Sequence, residues 1–177
     1  MRLFFYIIFM NLIFSNYSII QSNSEVEYSG SHPMHGFSGS SSIITLLSEC
    51  NKAGDNCDLM FKIPIISLNS GNDNRDSNML NYLNVFSYPE IRLSTQNFII
   101  REYNDELIPC EMSISGMNQQ INIPLTLSKI SDVQYEVTSS FSISLDQFNI
   151  DTPKLLFIPM NNEVKIRVKL LIEYKGE

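Results

Sequence analysis

The sequence predicts an all-β protein, an antiparallel sandwich or barrel of about eight strands with a single short helix. From about residue 25 onward apolar and polar residues alternate, as they do in strands that have one buried face. Turn-forming residues interrupt the alternation at short intervals, which is typical of strands joined by hairpins. Residues 67–91 depart from this pattern, because a polar, glycine-containing turn is followed there by apolar residues at helical spacing.

The composition indicates one globular domain and argues against one class of partner. The chain has 177 residues, of which 44% are hydrophobic and 18% are charged, so it can bury a sizeable core. Its formal net charge of -7 argues against nucleic-acid binding, which requires clustered Lys and Arg to neutralise phosphates. The basic residues are scattered apart from Lys165, Arg167 and Lys169, whose alternation indicates the solvated face of a strand.

The chain begins with a predicted signal peptide at residues 1–22. Arg2 supplies a positive n-region, residues 3–14 form an apolar h-region, and small polar residues follow. Ser22 and Ser24 form one possible cleavage signal, and other serines also fit, so the cleavage site stays open. The apolar run is shorter than the roughly 20 residues of a membrane-spanning helix. We therefore expect a periplasmic or secreted protein that has no stable membrane insertion after the signal is removed.

The first strands of the domain, which is predicted at residues 25–175, lead into a hairpin closed by two cysteines. Strands are predicted at residues 42–48 and 59–66. Cys50 and Cys57 flank a run of turn formers, so a hairpin would bring their side chains together. Export favours a disulfide, worth about 2–3 kcal/mol in the chain-entropy model, and half of a metal site is the alternative.

The helix is predicted at residues 73–84. Asn72 or Asp73 can cap it, because a short side-chain acceptor meets the free N–H groups of the first turn. The apolar residues at helical spacing form one stripe, namely Met79, Leu80, Leu83 and Phe86. Tyr88 should begin the next strand, since a residue that precedes proline is pushed towards extended geometry.

The remaining strands follow at short spacing. They are predicted at residues 91–100, 110–115, 120–129, 133–143 and 164–173, with a hairpin turn at residues 116–119. Cys110 begins an apolar set with Met112 and Ile114, so we expect it to be a buried thiol.

Few residues offer chemistry. His32 and His35 are three apart and would point to opposite faces of a strand, and no other ligand completes a metal site, so we expect none. Asp76 favours the helix N-terminus, whereas Arg75 needs a specific acceptor. That acceptor is either a carboxylate in a salt bridge that pins the helix across the barrel mouth or a ligand's polar head group. No nucleophile, acid, base or cofactor motif converges, so we expect a protein that is not an enzyme and has no cofactor.

Several blocks of the sequence carry a resemblance to one known family. They are residues 32–39, residues 63–72 with Arg75, Asp76 and Met79, residues 88–91, residues 141–146 and the closing alternating strand. In order and spacing the chain resembles the YceI-like family of exported or cytoplasmic bacterial barrels, from about His32 to Tyr174. Two features depart from the family pattern: Gln119 and Gln120 stand after Gly116 in place of a basic residue, and the cysteine pair is additional.

The resemblance implies an eight-stranded antiparallel lipocalin-like β-barrel with a short capping helix near its opening. It also implies a long apolar pocket for a polyisoprenoid or a similar amphiphile, and no catalysis. Asn72, Arg75 and Asp76 are then interpreted as a polar clasp that holds the helical stripe over the opening. The expected walls of the pocket are Phe61, Ile63, Met79, Leu83, Phe86, Met112, Ile114, Val137, Phe141, Ile166 and Val168.

Two functions remain open from the sequence. The first is an exported barrel that binds an apolar small molecule, an isoprenoid or a lipid, in its interior. The alternative is a filled barrel that serves as a structural or protein-interaction module of the cell envelope. An eight-stranded barrel is just wide enough for either, so the alternation of residues does not separate them.

Overall fold

A computed structural model describes residues 16–155 and 157–175 of the protein. Within these ranges it contains one α-helix and twelve strands. The elements are β1 (Tyr17–Ile19), β2 (Glu25–His32), β3 (His35–Ser41), β4 (Thr45–Cys50), β5 (Asn56–Pro64), α1 (Asp73–Tyr82), β6 (Glu90–Ile99), β7 (Tyr103–Ile114), β8 (Met117–Lys129), β9 (Gln134–Ser144), β10 (Lys154–Leu155), β11 (Ile158–Pro159) and β12 (Glu163–Tyr174). Short 3-10 turns occupy Gln21–Asn23, Ile65–Ser67 and Leu145–Phe148.

Ten of the strands form one curled antiparallel sheet. Its order is β3-β2-β12-β9-β8-β7-β6-β5-β4, and β1 pairs with the end of β12. Strands β10 and β11 form a separate small hairpin. The predicted all-β fold with one short helix is confirmed, while the number of strands exceeds the expected eight. The extra strands lack an apolar alternation: β3 is rich in glycine and serine, and β1 lies within the predicted signal peptide.

Strand β12 shows how alternating apolar and polar residues form a strand with one buried face. Its even-numbered residues face the interior, and Lys165, Arg167 and Lys169 are exposed, as predicted. Arg167 pairs with Glu27 on β2, and Lys169 pairs with Glu136 on β9 at 3.5 Å. Both partners lie on neighbouring strands, so the charged outer face reinforces the register that the apolar inner face sets.

The sheet closes without a continuous ladder between its edge strands β3 and β4. Ser40 and Asn69 form an isolated bridge, each backbone N–H donating to the other's carbonyl at 2.9 Å. On the β4 side, the Tyr17 N–H donates to Ser48 Oγ at 3.0 Å, and the Gln21 side chain bonds the backbone of Ile44. We call this junction the seam; within the described ranges these polar contacts join its two sides.

The N-terminal boundary of the domain differs from the prediction. Tyr17 is 4% exposed and pairs with Tyr174, so the sheet includes β1 and extends N-terminal to residue 25. Residues 1–15 of the predicted signal peptide lie outside the described residues. The sequence pattern missed β1 because its three residues follow directly on the apolar run and show no alternation of their own.

Two connections also differ in detail. The β7–β8 turn consists of Ser115 and Gly116, both at positive φ, rather than residues 116–119. Positive φ at both central positions is the geometry of a two-residue type I′ hairpin turn.

Helix α1 ends at Tyr82, two residues earlier than predicted, because Asn84 adopts a left-handed conformation. Its predicted N-cap, Asn72, is confirmed by a 3.0 Å hydrogen bond from the Arg75 N–H to Asn72 Oδ1.

The cysteine predictions are confirmed. Cys50 and Cys57 are directly opposite each other on β4 and β5 and form a disulfide. Cys110 on β7 is a buried free thiol in the larger of two apolar clusters inside the sheet. None of the helices in the described ranges is long and apolar enough to cross a membrane.

Antiparallel pairing places the helix and three connections at the same end of the sheet, which we call the helix end. The β2–β3 turn meets the β10–β11 hairpin there, since the Asn161 N–H donates to Ser31 O at 2.7 Å. The β7–β8 turn meets the end of α1, where Ser115 Oγ donates to Leu83 O at 2.8 Å. The disulfide hairpin lies at the opposite end, beside β1.

Candidate functional site

The curled sheet encloses a cavity of about 700 Å³ that reaches from the apolar core to the helix end. Its walls are the inward faces of the strands, and α1 covers part of one end. Ten of the eleven side chains expected as walls line it, namely Phe61, Ile63, Met79, Leu83, Met112, Ile114, Val137, Phe141, Ile166 and Val168. Alternation places the eight strand residues among them on one face, because successive strand residues point to opposite sides of the sheet, and helical spacing places Met79 and Leu83.

Phe86 is the exception, and its assignment to the cavity wall is wrong. Its side chain is 97% exposed and does not line the cavity. Helical spacing stops applying after Tyr82, because Asn84 turns the chain and Val85 bonds back to Leu80 O at 3.1 Å. Phe86 therefore leaves the stripe that Met79 and Leu83 continue.

Other strands supply walls that were not among the expected set. Examples are Val26, Leu93, Phe98, Ile123, Leu125 and Leu127. The alternation of β8 already marks its three members as inward-facing. The signal for Phe98 and Leu93 is weaker, because β6 departs from strict alternation where Asn97 adopts a positive φ.

The expected polar clasp separates into three local roles. Asn72 caps the helix, as described above. Asp76 accepts hydrogen bonds from the Ser70 N–H at 3.1 Å and 3.2 Å, and it does not line the cavity. Arg75 lines the cavity, and its guanidinium lies 5.2 Å from the centre of the Phe37 ring in a cation–π contact. Among the described residues it makes no salt bridge, so the expected ion-pair partner of Arg75 is not seen there.

Tyr28 has a buried hydroxyl close to Arg75 and Asp76. Its side chain lines the cavity, and its buried hydroxyl lies beside that of Ser70, an interaction that lowers the pKa of Tyr28. Burial raises the pKa of Tyr28, the Asp76 charge raises that pKa further, and the Arg75 charge lowers it. The phenol is therefore a neutral donor close to Arg75 and Asp76.

The two histidines lie on the same side of a hairpin, contrary to the prediction. The turn falls at Pro33 and Met34, so His32 and His35 face each other across β2 and β3 with ring centres 5.7 Å apart. His32 is buried, and its Nδ1 accepts from the Met34 N–H at 3.2 Å. Its Nε2 lies 3.1 Å from Ile158 O and can donate to it.

Two observations describe the reactive groups near the cavity. Burial raises the pKa of the Cys110 thiol to about 11, so at neutral pH this lining residue is protonated and a poor nucleophile. Within the described ranges no three His, Cys, Asp or Glu side chains lie close enough together to hold a metal ion. The predominantly apolar walls are suited to enclosing an apolar molecule.

Comparisons with known proteins agree with this geometry. The model of the YceI-like domain family matches residues 17–172. A comparison with curated proteins by sequence finds no match. Among solved structures, BcnA of Burkholderia cenocepacia matches with a TM-score of 0.71 at 15% identity, covering 86% of this chain and 98% of that chain.

Two further structures are similar. One is described as a polyisoprenoid binding domain from Saccharophagus degradans implicated in plant cell wall breakdown, with a TM-score of 0.72 at 12% identity, covering 92% of this chain and 100% of that chain. The other is the YCEI protein of Campylobacter jejuni, with a TM-score of 0.58 at 12% identity, covering 76% of this chain and 82% of that chain. At such low identities these likenesses show the fold.

Proposed function

The chain belongs to the YceI-like domain family, and on that premise we propose that it binds an apolar or amphiphilic chain, a polyisoprenoid or a lipid, in its interior without catalysing a reaction. The observation that carries this proposal is the cavity of about 700 Å³ with predominantly apolar walls. Its volume lies within the range of about 300–1,000 Å³ that is usual for small-molecule sites. The description of the Saccharophagus degradans relative as polyisoprenoid-binding agrees with it.

The energetics favour a long hydrocarbon. Each methylene that leaves water for such walls contributes about 0.8 kcal/mol, so a chain gains affinity without many polar contacts. Apolar residues from eight strands and α1 face the cavity, so most of its length offers no hydrogen-bond partner to a sugar or a peptide.

The filled-barrel alternative is disfavoured. A structural module would have no need of an open interior, and side chains would occupy this volume in an eight-stranded barrel of ordinary packing. The cavity counts against this alternative.

Export is the second part of the proposal. The apolar run that follows Arg2 has the length of a signal sequence, and the Cys50–Cys57 disulfide suits an oxidising compartment. Because Tyr17 is part of the folded sheet, we place the cleavage site before Asn16 rather than at Ser24. The mass of the mature protein, recovered from a periplasmic or culture-medium fraction, tests this placement; a mature chain that starts after Ser24 would contradict it.

Fluorescence gives a direct test of binding, because the chain contains no Trp. Phe61→Trp places an indole in the cavity wall, and Phe86→Trp places one on the exposed loop as a matched control. Adding farnesol, geranylgeraniol or hexadecanol to delipidated protein should shift the emission of Phe61→Trp to the blue and leave that of Phe86→Trp unchanged. No shift in either variant, together with no mass increase in native mass spectrometry, would overturn the proposal.

A blocking substitution adds a second test. Val168→Trp fills part of the cavity from β12, whereas Lys165→Trp adds the same ring to the outer face of the same strand. We expect Val168→Trp to weaken binding of farnesol by about tenfold or more, since the ring and the ligand compete for one volume. Equal affinities for both variants would argue against the interior as the binding site.

A further inference from the structure

The exposed apolar side chains of the protein are concentrated at the helix end. The side chains of Phe86 and Phe157 are each 97% exposed there, so almost none of their surface packs against the protein. Of the thirteen exposed large apolar side chains in the described ranges, eight lie at this end, and we call these eight the apolar rim. Its other members are Met34, Ile66, Tyr82, Tyr88, Met117 and Ile158. Single exposed apolar residues are ordinary, whereas such a group at one end of a protein indicates an interaction surface.

Two connections hold one part of the apolar rim together. Met34 lies in the β2–β3 turn, and Phe157 and Ile158 belong to the β10–β11 hairpin. The Met34 N–H donates to His32 Nδ1 at 3.2 Å, and His32 Nε2 lies 3.1 Å from Ile158 O. His32 therefore joins the two connections, so their exposed side chains form one group.

A second part of the apolar rim lies over β5 to β8. The backbone that follows β5 donates to Pro89 O at 2.9 Å, which brings Ile66 next to the connection that carries Phe86. That connection ends at Tyr88, whose ring packs on the β7–β8 turn next to Met117. In the order of the strands, β2 and β3 are separated from β5 to β8 by β12 and β9. The two parts therefore lie on different arcs of the curled sheet.

Phe157 stands in a backbone conformation that does not suit it. Its φ is 69°, a left-handed geometry that is unfavourable for a residue with a Cβ and that glycine or asparagine adopts more readily. Its exposed ring makes almost no contact that would offset this strain. The fold has no need of a phenylalanine at this position, which favours a contact with something outside the chain.

Side chains that protrude in this way fit a lipid surface better than a folded partner. A folded partner needs a matched pocket for each protruding side chain, because protein interfaces are close-packed, whereas fluid hydrocarbon accepts side chains of any shape. The apolar rim also contains Tyr82 and Tyr88, which are partly exposed. Tyrosine has one apolar and one polar end and is enriched where lipid head groups meet acyl chains.

We propose that the apolar rim docks reversibly on the surface of a lipid bilayer, with Phe86 and Phe157 entering the boundary between head groups and acyl chains. The contact is peripheral, because side chains on short connections reach only the outer part of a bilayer. The net charge of -7 gives the chain no general attraction to anionic lipids, so apolar contact drives the docking. This inference concerns the outer surface and does not depend on what the cavity holds.

Flotation with phosphatidylcholine vesicles tests the docking. We expect half of the delipidated mature protein to float with about 0.1–1 mM lipid, the range of one reversibly bound acyl chain. Phosphatidylglycerol in the vesicles should leave binding unchanged or weaken it, since the protein is acidic. Binding that requires phosphatidylglycerol, or a wild-type protein that does not float at about tenfold more lipid, would overturn the proposal.

Two double variants locate the contact. Phe86→Ser combined with Phe157→Ser should weaken vesicle binding by about a hundredfold, since each lost ring corresponds to about tenfold. Ile99→Ser combined with Leu107→Ser removes exposed apolar side chains of β6 and β7 outside the helix end, and it should bind as the wild type does. All four side chains are exposed, so both variants should keep the wild-type melting temperature. Equal binding by the two double variants would contradict docking through the apolar rim.

Two further measurements separate docking from other contacts. Val168→Trp fills part of the cavity and should still float, because the apolar rim is intact; loss of flotation in this variant would show that the interior holds the vesicle lipid and would overturn the docking. Analytical ultracentrifugation measures whether the surface joins two copies of the chain. A wild-type dimer that dissociates in the Phe86→Ser and Phe157→Ser double variant, with no flotation of the wild type, would also overturn it. If the wild type binds farnesol but does not float, docking fails and the proposed function stands.

Discussion

At the scale of single residues, Tyr17 connects the N-terminal strand to the disulfide hairpin. Its ring packs against Tyr174 at 5.1 Å, and its hydroxyl donates to Gly54 O at 2.9 Å. Burial, followed by the nearby Tyr135, Tyr174 and Asp55, raises the pKa of Tyr17 from 10.0 to about 12. The fold therefore favours the neutral phenol, so ionisation of Tyr17 at alkaline pH lowers the free energy of unfolding.

We predict that the free energy of unfolding falls at high pH partly through Tyr17. Its pKa is higher in the fold than in the unfolded chain, so its contribution is complete below about pH 10 and is lost as the pH rises towards 12. Urea unfolding at about pH 9 and pH 11.5 should show a drop that is smaller by about 2 kcal/mol in Tyr17→Phe than in wild type. Tyr82→Phe, on exposed helix surface, should keep the wild-type drop; equal drops in all three proteins would contradict the prediction.

Cys110 should be protected from alkylation. With a pKa raised by burial from 9.0 to about 11, only about one thiol in a thousand is ionised near pH 8. Iodoacetamide should therefore label the folded protein at least about a hundredfold more slowly than the urea-unfolded chain, as followed by intact mass. Since Cys110 lines the cavity, a bound farnesol molecule should slow the labelling further. Rapid labelling of the folded protein would show that the thiol is more accessible than its position in the core indicates.

At the scale of elements, the β7–β8 turn is fixed by one glycine and one aromatic ring. Gly116 has a φ of 79°, and a Cβ there would lie 2.4 Å from Tyr88 Cζ. Gly71 has a similar φ of 72° with nothing within 4 Å of the same position. The two glycines thus separate backbone strain from close packing.

Alanine substitutions at the two glycines should differ in cost. Gly71→Ala should lower the free energy of unfolding by about 1 kcal/mol, because alanine is strained in the left-handed conformation. Gly116→Ala must also displace the Tyr88 ring, so its free energy of unfolding should fall by at least about 1 kcal/mol more. Denaturant unfolding of both variants, and of Gly116→Ala combined with Tyr88→Ala, measures the difference. If the extra cost persists without the Tyr88 ring, the close approach is not its cause.

The N-terminal strand should be required for stability. A chain that starts at residue 25 lacks β1 and loses the buried Tyr17 ring, whose removal should cost about 3 kcal/mol or more. We therefore expect a clearly lower melting temperature than for a chain that starts at residue 16, together with weaker retention of farnesol. Equal melting temperatures would mean that β1 is dispensable and that the domain boundary at residue 25 was adequate.

At the scale of the whole molecule, the seam between β3 and β4 lacks the continuous ladder that joins the neighbouring strands of the sheet. The Ser40–Asn69 bridge, the Tyr17–Ser48 hydrogen bond and the Gln21 contacts replace a continuous ladder there. Strands with few backbone hydrogen bonds open at low free energy. We therefore expect the sheet to separate first at the seam when a ligand enters the interior.

Hydrogen exchange should reveal which strands open most readily. Amides of β3 and β4 should exchange faster than those of β8 and β9, which have paired neighbours on both sides. Farnesol should slow exchange at the seam, because a ligand that binds the closed sheet lowers the population of the open one. Exchange that is uniform over the sheet, or unaffected by farnesol, would contradict a seam that opens for the ligand.

The sequence by itself determined the elements that depend on neighbouring residues. Alternation placed β12 and its charged outer face, turn formers between Cys50 and Cys57 placed the disulfide hairpin, and the short polar side chain of Asn72 marked the start of α1. Local rules suffice in these cases, because periodicity, turn geometry and capping act over a few residues. The same alternation selected eight of the ten expected walls that line the cavity, and helical spacing selected Met79 and Leu83.

Only the tertiary structure decided what those walls enclose. Whether an inward face meets another side chain or empty space depends on the curvature of a sheet whose paired strands are far apart in sequence, and alternation carries no information about that distance. The partner of Arg75, the meeting of His32 with His35 and the exposure of Phe86 were settled in the same way, by turns and contacts between distant segments. The sequence thus identified the fold and its inward faces, whereas long-range packing produced the cavity on which the proposed function depends.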